Sequence, residues 1–338
     1  MAFATFWFIL IAVLWTGFFV LEGFDLGVGM LHAVVARDEA GRRAAINTIG
    51  PLWDGNEVWL IVAAAAMFAA FPDWYATMFS GFYLAIVLLL AGLIIRGVSF
   101  EFRGKIGSRR WRTTWDALMT TGSVLVPLVI GIALADLVHG VPIGSDREYT
   151  GNLGDLFTGY SVFAGITITL LCLVHGATFL TLKTTGAVRE RAALIGRRVA
   201  PVTAAAVLGF LAWTHAVSGK GVLVNVPELI AIMAAFAAAA LTTTGREGWS
   251  FAATTVAMAA TIASLFVELY PDVMVSSTNP AYNLTVQGAA SGEYALKVMT
   301  VIVAVLLPVV LLYQAWTYHV FRMRVSAERF QGPGAAHD

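Results

Sequence analysis

Charged residues and cysteines are scarce in this chain. Only 12% of the 338 residues are charged, whereas soluble domains carry about 25%. The single cysteine, Cys172, excludes an internal disulfide and any zinc or iron–sulfur site built from several cysteine thiolates. The net charge is zero, so nothing in the composition indicates a nucleic acid or another polyanion as a partner.

Hydrophobic residues, in contrast, make up 59% of the chain. Apolar runs of 18 residues or more can cross a hydrocarbon core about 30 Å thick. The sequence therefore predicts an all-α integral membrane protein without a separate soluble domain. The first apolar run has neither a basic region before it nor a cleavage site of the signal-peptide kind, so we expect it to be kept as a span.

The apolar runs predict nine transmembrane helices within one domain, residues 1–330. Residues 331–338 are predicted to form a flexible cytoplasmic tail. The predicted spans are residues 5–35, 51–70, 74–97, 113–139, 156–182, 197–218, 225–243, 249–270 and 295–321.

The positive charges predict the orientation of these spans. The connections after the first, third, fifth and seventh spans and the carboxy-terminal tail together hold seventeen Lys and Arg residues. The amino terminus and the other connections hold only Arg147 and Lys220. Because cytoplasmic loops collect Lys and Arg, we expect the amino terminus outside and the carboxy terminus in the cytoplasm.

Four carboxylates interrupt the first two apolar runs. Glu22 and Asp25 lie three residues apart in the first span, and Asp54 and Glu57 have the same spacing in the second. Side chains three residues apart share a helix face. An ionisable group inside a membrane is costly unless it is paired or wetted, and it commonly marks a proton or ion pathway.

Asp25, Asp54 and Arg96 are predicted to reach one level of the membrane. At a rise of about 1.5 Å per residue, Asp25 lies about 30 Å along the first span, near the cytoplasmic end of the hydrocarbon core. The second span starts on that side and the third ends there. We therefore predict a proton entrance through Asp25 and Asp54, supported by Glu22, Glu57 and Arg96. The alternative is that these groups only anchor helix ends at the interface.

Other polar residues have simpler interpretations. Histidines on facing helices can ligate haem iron, but only His175 lies clearly inside a span, so a buried, hydrogen-bonded role is favoured. Asp136, Glu228 and Glu268 lie near outer span ends, where solvated caps or anchors are expected. Gly27, four residues after another glycine, favours close helix packing.

Five sequence segments, in this order, match motifs of a known family. They are Glu22-Gly-Phe-Asp-Leu-Gly-Val-Gly-Met30, Pro51-Leu-Trp-Asp-Gly-Asn-Glu-Val-Trp59, Phe71-Pro-Asp-Trp-Tyr75, Ser80-Gly-Phe-Tyr83 and Arg96-Gly-Val-Ser-Phe-Glu-Phe-Arg103. In these segments, in its length and in its nine predicted spans, the chain resembles subunit II of the cytochrome bd quinol oxidases. Residues 185–250 contribute no motif to the resemblance.

The resemblance implies a fold and a partner. The fold would be two four-helix bundles plus one peripheral helix, bound side by side to subunit I. Subunit I would carry two haems b, one haem d and the quinol site, while this chain would hold neither haem nor metal. Some members of the family hold a structural quinone in subunit II. The resemblance leaves open whether a small accessory subunit joins the complex.

The resemblance also implies a reaction. The complex would oxidise a quinol in the bacterial cytoplasmic membrane and reduce dioxygen to water, and the isolated chain would not be catalytic. Asp25 and Asp54 match the family aspartates that pass protons inward from the cytoplasm, and Arg96 would keep one of them ionised. The bias towards Ala and Arg indicates a high-GC bacterium and favours menaquinol as the donor.

Two alternatives come from other classes of protein. A proton-coupled carrier would use intramembrane acids, but the odd number of spans and the absence of an evident inverted repeat disfavour it. A subunit that itself binds haem would need a partner for His175, and the scattered histidines disfavour that reading.

Overall fold

Helices dominate the computed structural model, which describes residues 2–220 and 224–331. The predicted tail, 331–338, lies outside these residues except for Gln331. The α-helices of the described ranges are α1 (Ala2–Val35), α2 (Glu39–Asn47), α3 (Trp53–Ala70), α4 (Pro72–Gly81), α5 (Tyr83–Phe102), α6 (Arg109–His139), α7 (Gly159–Lys183), α8 (Gly186–Ser218), α9 (Val226–Thr244), α10 (Glu247–Leu269) and α11 (Glu293–Val320).

Eight helices in the described part of the chain are long and apolar enough to cross a membrane: α1 and α5 to α11. The multi-pass, helical character predicted from composition is therefore confirmed. At the place of the second predicted span lies α3, an 18-residue helix whose first two turns carry Asp54, Asn56 and Glu57. Nine crossings, and the arrangement in two bundles, stay predictions.

The structure divides the predicted third span, 74–97, into α4 and α5. Phe82 separates them, although its N–H still donates to the Met78 carbonyl at 2.9 Å. Ser80 and Gly81 precede the break, and a Ser/Gly pair is a common cause of a bend because both residues support a helix weakly. A Cβ on Gly81 would lie 2.6 Å from the Tyr149 ring. The glycine at the bend therefore also leaves room for Tyr149, in the loop that follows α6.

Two helical segments extend beyond the apolar pattern. α8 begins at Gly186, eleven residues before the predicted span 197–218, because its first turns are rich in Arg, Glu and Ala. These residues favour helix without being apolar. The short α2 lies in the connection after α1, and the Asp38 side chain caps it by accepting from the Gly41 N–H.

α1 is central to the fold and packs against α3, α6, α7 and α10. Its contact with α7 depends on glycine, since a Cβ on Gly27 would lie 2.0 Å from the Cys172 carbonyl oxygen and one on Gly176 would lie 2.4 Å from the Gly27 backbone. Only residues without a side chain permit two helices to approach this closely. The close packing predicted for Gly27 is confirmed.

α11 is the most exposed long helix, and Leu296 is its only buried residue. The Trp7 indole of α1 donates to the Leu296 carbonyl at 3.2 Å and to the Thr300 hydroxyl at 3.0 Å. Near this end, β1 (Asp272–Met274) pairs antiparallel with β2 (Leu284–Thr285). These strands belong to the connection between α10 and α11, residues 270–292. A bridge between Val141 and Ser276 joins it to the connection between α6 and α7, residues 140–158, so the two connections pack together at one end of the molecule, here termed the loop end.

Candidate functional site: a buried charge network

The Arg96 guanidinium connects α1, α3 and α5. Its Nη1 lies 2.5 Å from Glu22 Oε1 and 3.2 Å from Glu57 Oε2. The side chains of Arg96 and Glu22 are fully buried, whereas that of Glu57 is 23% exposed. The Phe100 ring lies 5.4 Å from the guanidinium carbon and adds a cation–π contact. One guanidinium therefore contacts two carboxylates from different helices, so a single positive charge faces two acids.

Asp25 is held through an asparagine that links three helices. The Asn56 amide of α3 donates to Asp25 Oδ2 at 2.6 Å and to the Leu21 carbonyl at 3.3 Å. Asn56 Oδ1 accepts from Gln314 Nε2 at 2.8 Å and from the Tyr318 hydroxyl at 2.9 Å, both on α11. These bonds assign the amide orientation, because its nitrogen faces two acceptors and its oxygen two donors. Asn56 thus connects a fully buried carboxylate to α11.

The acids of this site keep unused capacity to accept a proton or a hydrogen bond. Among the described residues, neither carboxylate oxygen of Glu22 nor Oδ1 of Asp25 has a hydrogen-bond partner. The short Arg96–Glu22 contact is an ion pair without hydrogen-bond geometry. Buried polar atoms are normally satisfied, so this buried charge network (Glu22, Asp25, Asn56, Glu57 and Arg96) is chemically suited to exchange protons.

Asp54 lies in the first turn of α3 but outside these contacts. Its side chain is exposed, and no hydrogen bond or ion pair in the described ranges involves it. Asn56 follows two residues later, about 200° around the helix, so the two side chains face different ways. The structure therefore brings Glu22, Asp25, Glu57 and Arg96 together, and places Asp54 at the exposed start of the helix that carries Asn56.

Sequence reasoning did not single out Asn56, Gln314 or Tyr318. Asn56 was visible only as a polar residue between two acids. Gln314 and Tyr318 are spaced four residues apart in an otherwise apolar helix, so they share one face. That spacing could have indicated a polar contact, but the partner helix could not be read from it.

A second ion-pair network lies at the carboxy-terminal ends of α1 and α5. Asp116 of α6 contacts Arg103 Nε at 2.5 Å and Arg42 Nη1 at 2.8 Å, and it also lies 3.2 Å from His32 Nε2. Arg103 Nη1 donates to Glu39 of α2 at 2.6 Å. Burial lowers the pKa of Arg103, but its hydrogen bonds to Glu39 and Asp116 outweigh this and raise that pKa above its ordinary value. The network fixes α2 to the membrane helices.

The expectation that Asp136, Glu228 and Glu268 are solvated was wrong. Their exposed fractions are 1%, 2% and 5%. Glu228 and Glu268 lie beside Asn225 and His215, between neighbouring helices, so a position near a span boundary does not bring the carboxylates into solvent. Glu228 does cap α9, in a capping box with Asn225, as a residue near a helix start can.

His175 is buried with both ring nitrogens engaged. Its Nε2 lies 3.1 Å from the Val20 carbonyl and its Nδ1 lies 2.8 Å from the Thr254 hydroxyl. The carbonyl requires an N–H at Nε2, which leaves Nδ1 of the neutral ring unprotonated and facing the Thr254 hydroxyl. The ring also stacks on Phe251 at 4.7 Å between centroids. This is the buried, hydrogen-bonded histidine that the sequence favoured.

Comparison with known proteins gives a consistent result over nearly the whole chain. The family model "Cytochrome bd terminal oxidase subunit II" matches residues 3–321. Cytochrome bd ubiquinol oxidase subunit 2 of Bacillus subtilis is 45% identical over 325 residues, which cover 95% of this chain and 96% of that protein. Cytochrome bd-I ubiquinol oxidase subunit 2 of Escherichia coli is 36% identical over 359 residues, covering 95% of each chain.

The fold has a counterpart among solved structures. A chain from the structure of bd oxidase from Geobacillus thermodenitrificans superposes with a TM-score of 0.71, at 18% identity, over 95% of this chain and 99% of that one. At that identity the likeness concerns the fold alone. On the family match and the two sequence relatives, the chain belongs to the cytochrome bd terminal oxidase subunit II family.

Proposed function

We propose that this chain is the haem-free subunit II of a membrane complex that oxidises quinol and reduces dioxygen to water. The observation that carries the proposal is the family match over residues 3–321, together with relatives named as subunit 2 of cytochrome bd ubiquinol oxidases. In this complex subunit I holds two haems b, haem d and the quinol site, and this chain supplies scaffold and a path for protons. The isolated chain is not catalytic.

The buried charge network is the proposed proton entrance. Reduction of dioxygen to water consumes protons, and acids within a membrane protein are the groups that relay them. Asp54 at the exposed start of α3 would collect protons, and Asp25, with Glu22 and Glu57 close by, would pass them inward. Arg96 would keep the acids from all being neutral, since its positive charge favours an ionised carboxylate beside it.

The engagement of His175 supports a haem-free chain. Ligation of iron through either ring nitrogen would break its hydrogen bond to Val20 or to Thr254. His32, the other fully buried histidine of the described residues, likewise has Nδ1 at 2.8 Å from the Gly29 carbonyl and Nε2 against Asp116. Neither offers a free nitrogen. His175 and His32 are therefore poor haem ligands, and a haem-binding chain is the less supported function. The family match likewise favours an oxidase subunit over a proton-coupled carrier.

The proposed setting is the bacterial cytoplasmic membrane, with the loop end outside and the carboxy terminus in the cytoplasm. The alternation of positive charge supports this orientation. Menaquinol is the proposed donor. An apolar groove between α1, α9 and α10, lined by Phe8, Ile9 and Phe266, is a candidate place for lipid or a structural quinone. A small accessory subunit is compatible with the same complex.

Expression with and without its partner tests the proposal. We expect the chain expressed alone to show no Soret absorbance, and the chain purified from its native membrane to bring with it a haem-rich subunit and quinol-dependent oxygen consumption. Soret absorbance from the lone chain, at stoichiometric haem content, would contradict the haem-free assignment. Isolation from native membranes without any haem protein would contradict the oxidase assignment.

Asp54→Asn should slow oxygen consumption by the complex about twofold to threefold and leave the haem spectrum unchanged. The decrease is modest because an exposed carboxylate collects protons from a surface that water also reaches. The measurement is quinol-driven oxygen uptake at saturating quinol. Asp146→Asn, the same change in an exposed loop acid at the loop end, is the matched control. Unchanged turnover for both Asp54→Asn and Asp25→Asn would remove them from the pathway.

A further inference from the structure

Three ligand-type side chains meet at the loop end, far along the chain from the buried charge network. His215 lies near the end of α8, Glu228 in the first turn of α9 and Glu268 near the end of α10. One donor atom from each lies within 4.8 Å of the others. The two glutamates are 2% and 5% exposed, and the His215 side chain is 18% exposed. These residues are termed the His215 triad.

Asn225 orients both carboxylates of the triad. Its backbone N–H donates to Glu228 Oε2 at 3.0 Å and its side-chain amide donates to Glu268 Oε1 at 2.7 Å. The remaining oxygens, Glu228 Oε1 and Glu268 Oε2, have no hydrogen-bond partner among the described residues, although both are buried. Metal-binding carboxylates are commonly hydrogen-bonded by a polar neighbour in this way. The neighbour holds one oxygen of each carboxylate and leaves the other unused.

The triad is not explained as a hydrogen-bonded ion pair. His215 Nδ1 lies 3.6 Å from Glu228 and 3.9 Å from Glu268, beyond hydrogen-bond distance, and neither ring nitrogen has a hydrogen-bond partner within residues 2–220 and 224–331. Lys220 lies near enough to interact with the charge of Glu268, but its ammonium donates to the Tyr270 carbonyl. Among the described residues, no cation is hydrogen-bonded to these two buried carboxylates, an arrangement that costs free energy unless a positive charge binds between them.

We propose that His215, Glu228 and Glu268 form a binding site for a divalent transition-metal cation with the preferences of Zn²⁺. One imidazole and two carboxylates are ligands that Zn²⁺ takes, and two carboxylates neutralise its charge. Tetrahedral metal–ligand bonds of about 2.0–2.2 Å place ligand atoms roughly 3.4 Å from one another. The ligand atoms of the triad would therefore have to approach one another by little more than about 1 Å. Rotation of the three side chains supplies this. The partly exposed imidazole marks the side from which the ion enters.

The site would fix the ends of α8, α9 and α10 to one another. These three helices pack against one another, and the triad joins the last turns of α8 and α10 to the first turn of α9. The inference is independent of the proposed oxidase function, since metal binding is read out without turnover.

Zinc binding by the purified complex tests the site. The complex is stripped with a chelator, dialysed and titrated with ZnCl₂ against a competing chromophoric chelator, with bound metal measured by mass spectrometry. We expect about one tightly bound zinc per chain, and X-ray absorption at the zinc edge should report one imidazole with oxygen ligands. Glu268→Gln should raise the Kd at least about tenfold, as loss of even an outer partner does.

Glu293→Gln is the matched control, because Glu293 is an exposed acid at the same end of the molecule and pairs with Lys297. It should bind zinc as the unaltered protein does. His215→Asn is the second variant, with retention on size exclusion checked for each. The proposal fails if the unaltered complex binds no stoichiometric zinc, if both triad variants bind it equally well, or if the control loses it to the same extent.

Discussion

Arg96→Gln is expected to lower the free energy of unfolding by about 3–5 kcal/mol, the usual cost of removing one partner of a buried ion pair. Arg96 is the cation that contacts both Glu22 and Glu57, and Glu22 is fully buried. Without the guanidinium, a buried carboxylate must stay ionised beside another acid or take up a proton. We expect a lower Tm and a reduced yield of the assembled protein, measured by thermal unfolding in detergent.

The double variant Arg96→Gln, Glu22→Gln separates the loss of a charge partner from the loss of side-chain packing. Removing both members of a buried pair is far less costly than removing one, so most of the lost stability should return. Arg109→Gln, at an exposed position in the first turn of α6, should leave the Tm unchanged. If the double variant is no more stable than Arg96→Gln, Arg96 stabilises the fold by packing against Phe100 and not by pairing.

Asp25→Asn should have the largest effect on turnover. A positioned group that transfers a proton contributes typically about 10²-fold to a rate, so we expect oxygen consumption to fall by about tenfold or more. The asparagine carbonyl can still accept the hydrogen bond that Asn56 now donates to Asp25 at 2.6 Å. The fold and the haem spectrum should therefore be unchanged. The measurement is the maximal rate of oxygen uptake with excess quinol, alongside the reduced haem spectrum.

Two further variants, Asp25→Glu and Glu190→Gln, test whether the loss of turnover is specific to the carboxylate at position 25. A glutamate at position 25 keeps a carboxylate and should retain part of the turnover. Glu190, an exposed acid near the start of α8, should tolerate loss of its charge without effect. Wild-type turnover in Asp25→Asn would show that no obligatory proton passes through this residue. An altered haem spectrum would instead place the effect in assembly with the partner.

Residues that share one helix could be related from the sequence, and those on different helices could not. The i, i+3 spacing predicted that Glu22 and Asp25 share a face of α1, and both side chains are buried. The same spacing in α3 did not place Asp54 with Glu57, because Glu57 turns towards Arg96 while Asp54 stays exposed. The side of a helix that contacts another helix depends on how the two helices pack. The periodicity of one segment does not give that information.

The three outer acids show the same limit. Near a span end, a carboxylate is expected to reach solvent, and nothing local distinguishes Glu228 or Glu268 from an ordinary cap. Contacts between neighbouring helices, with Asn225 and His215 beside the two carboxylates, bury both. Asn225 meets Glu268 across 43 residues of sequence. A contact between residues so far apart in sequence results from helix packing, and neither local segment of the sequence indicates it.

The sequence by itself determined the class of protein, the places of the apolar helices and the family, because hydrophobicity and motif residues are properties of consecutive positions. Only the tertiary structure decided that Asn56 joins Asp25 to α11, that Arg96 contacts both Glu22 and Glu57, and that His215 meets two buried glutamates. Those contacts exist because helices distant in sequence pack side by side, and the cost of an unpaired buried charge selects which side chains they bring together.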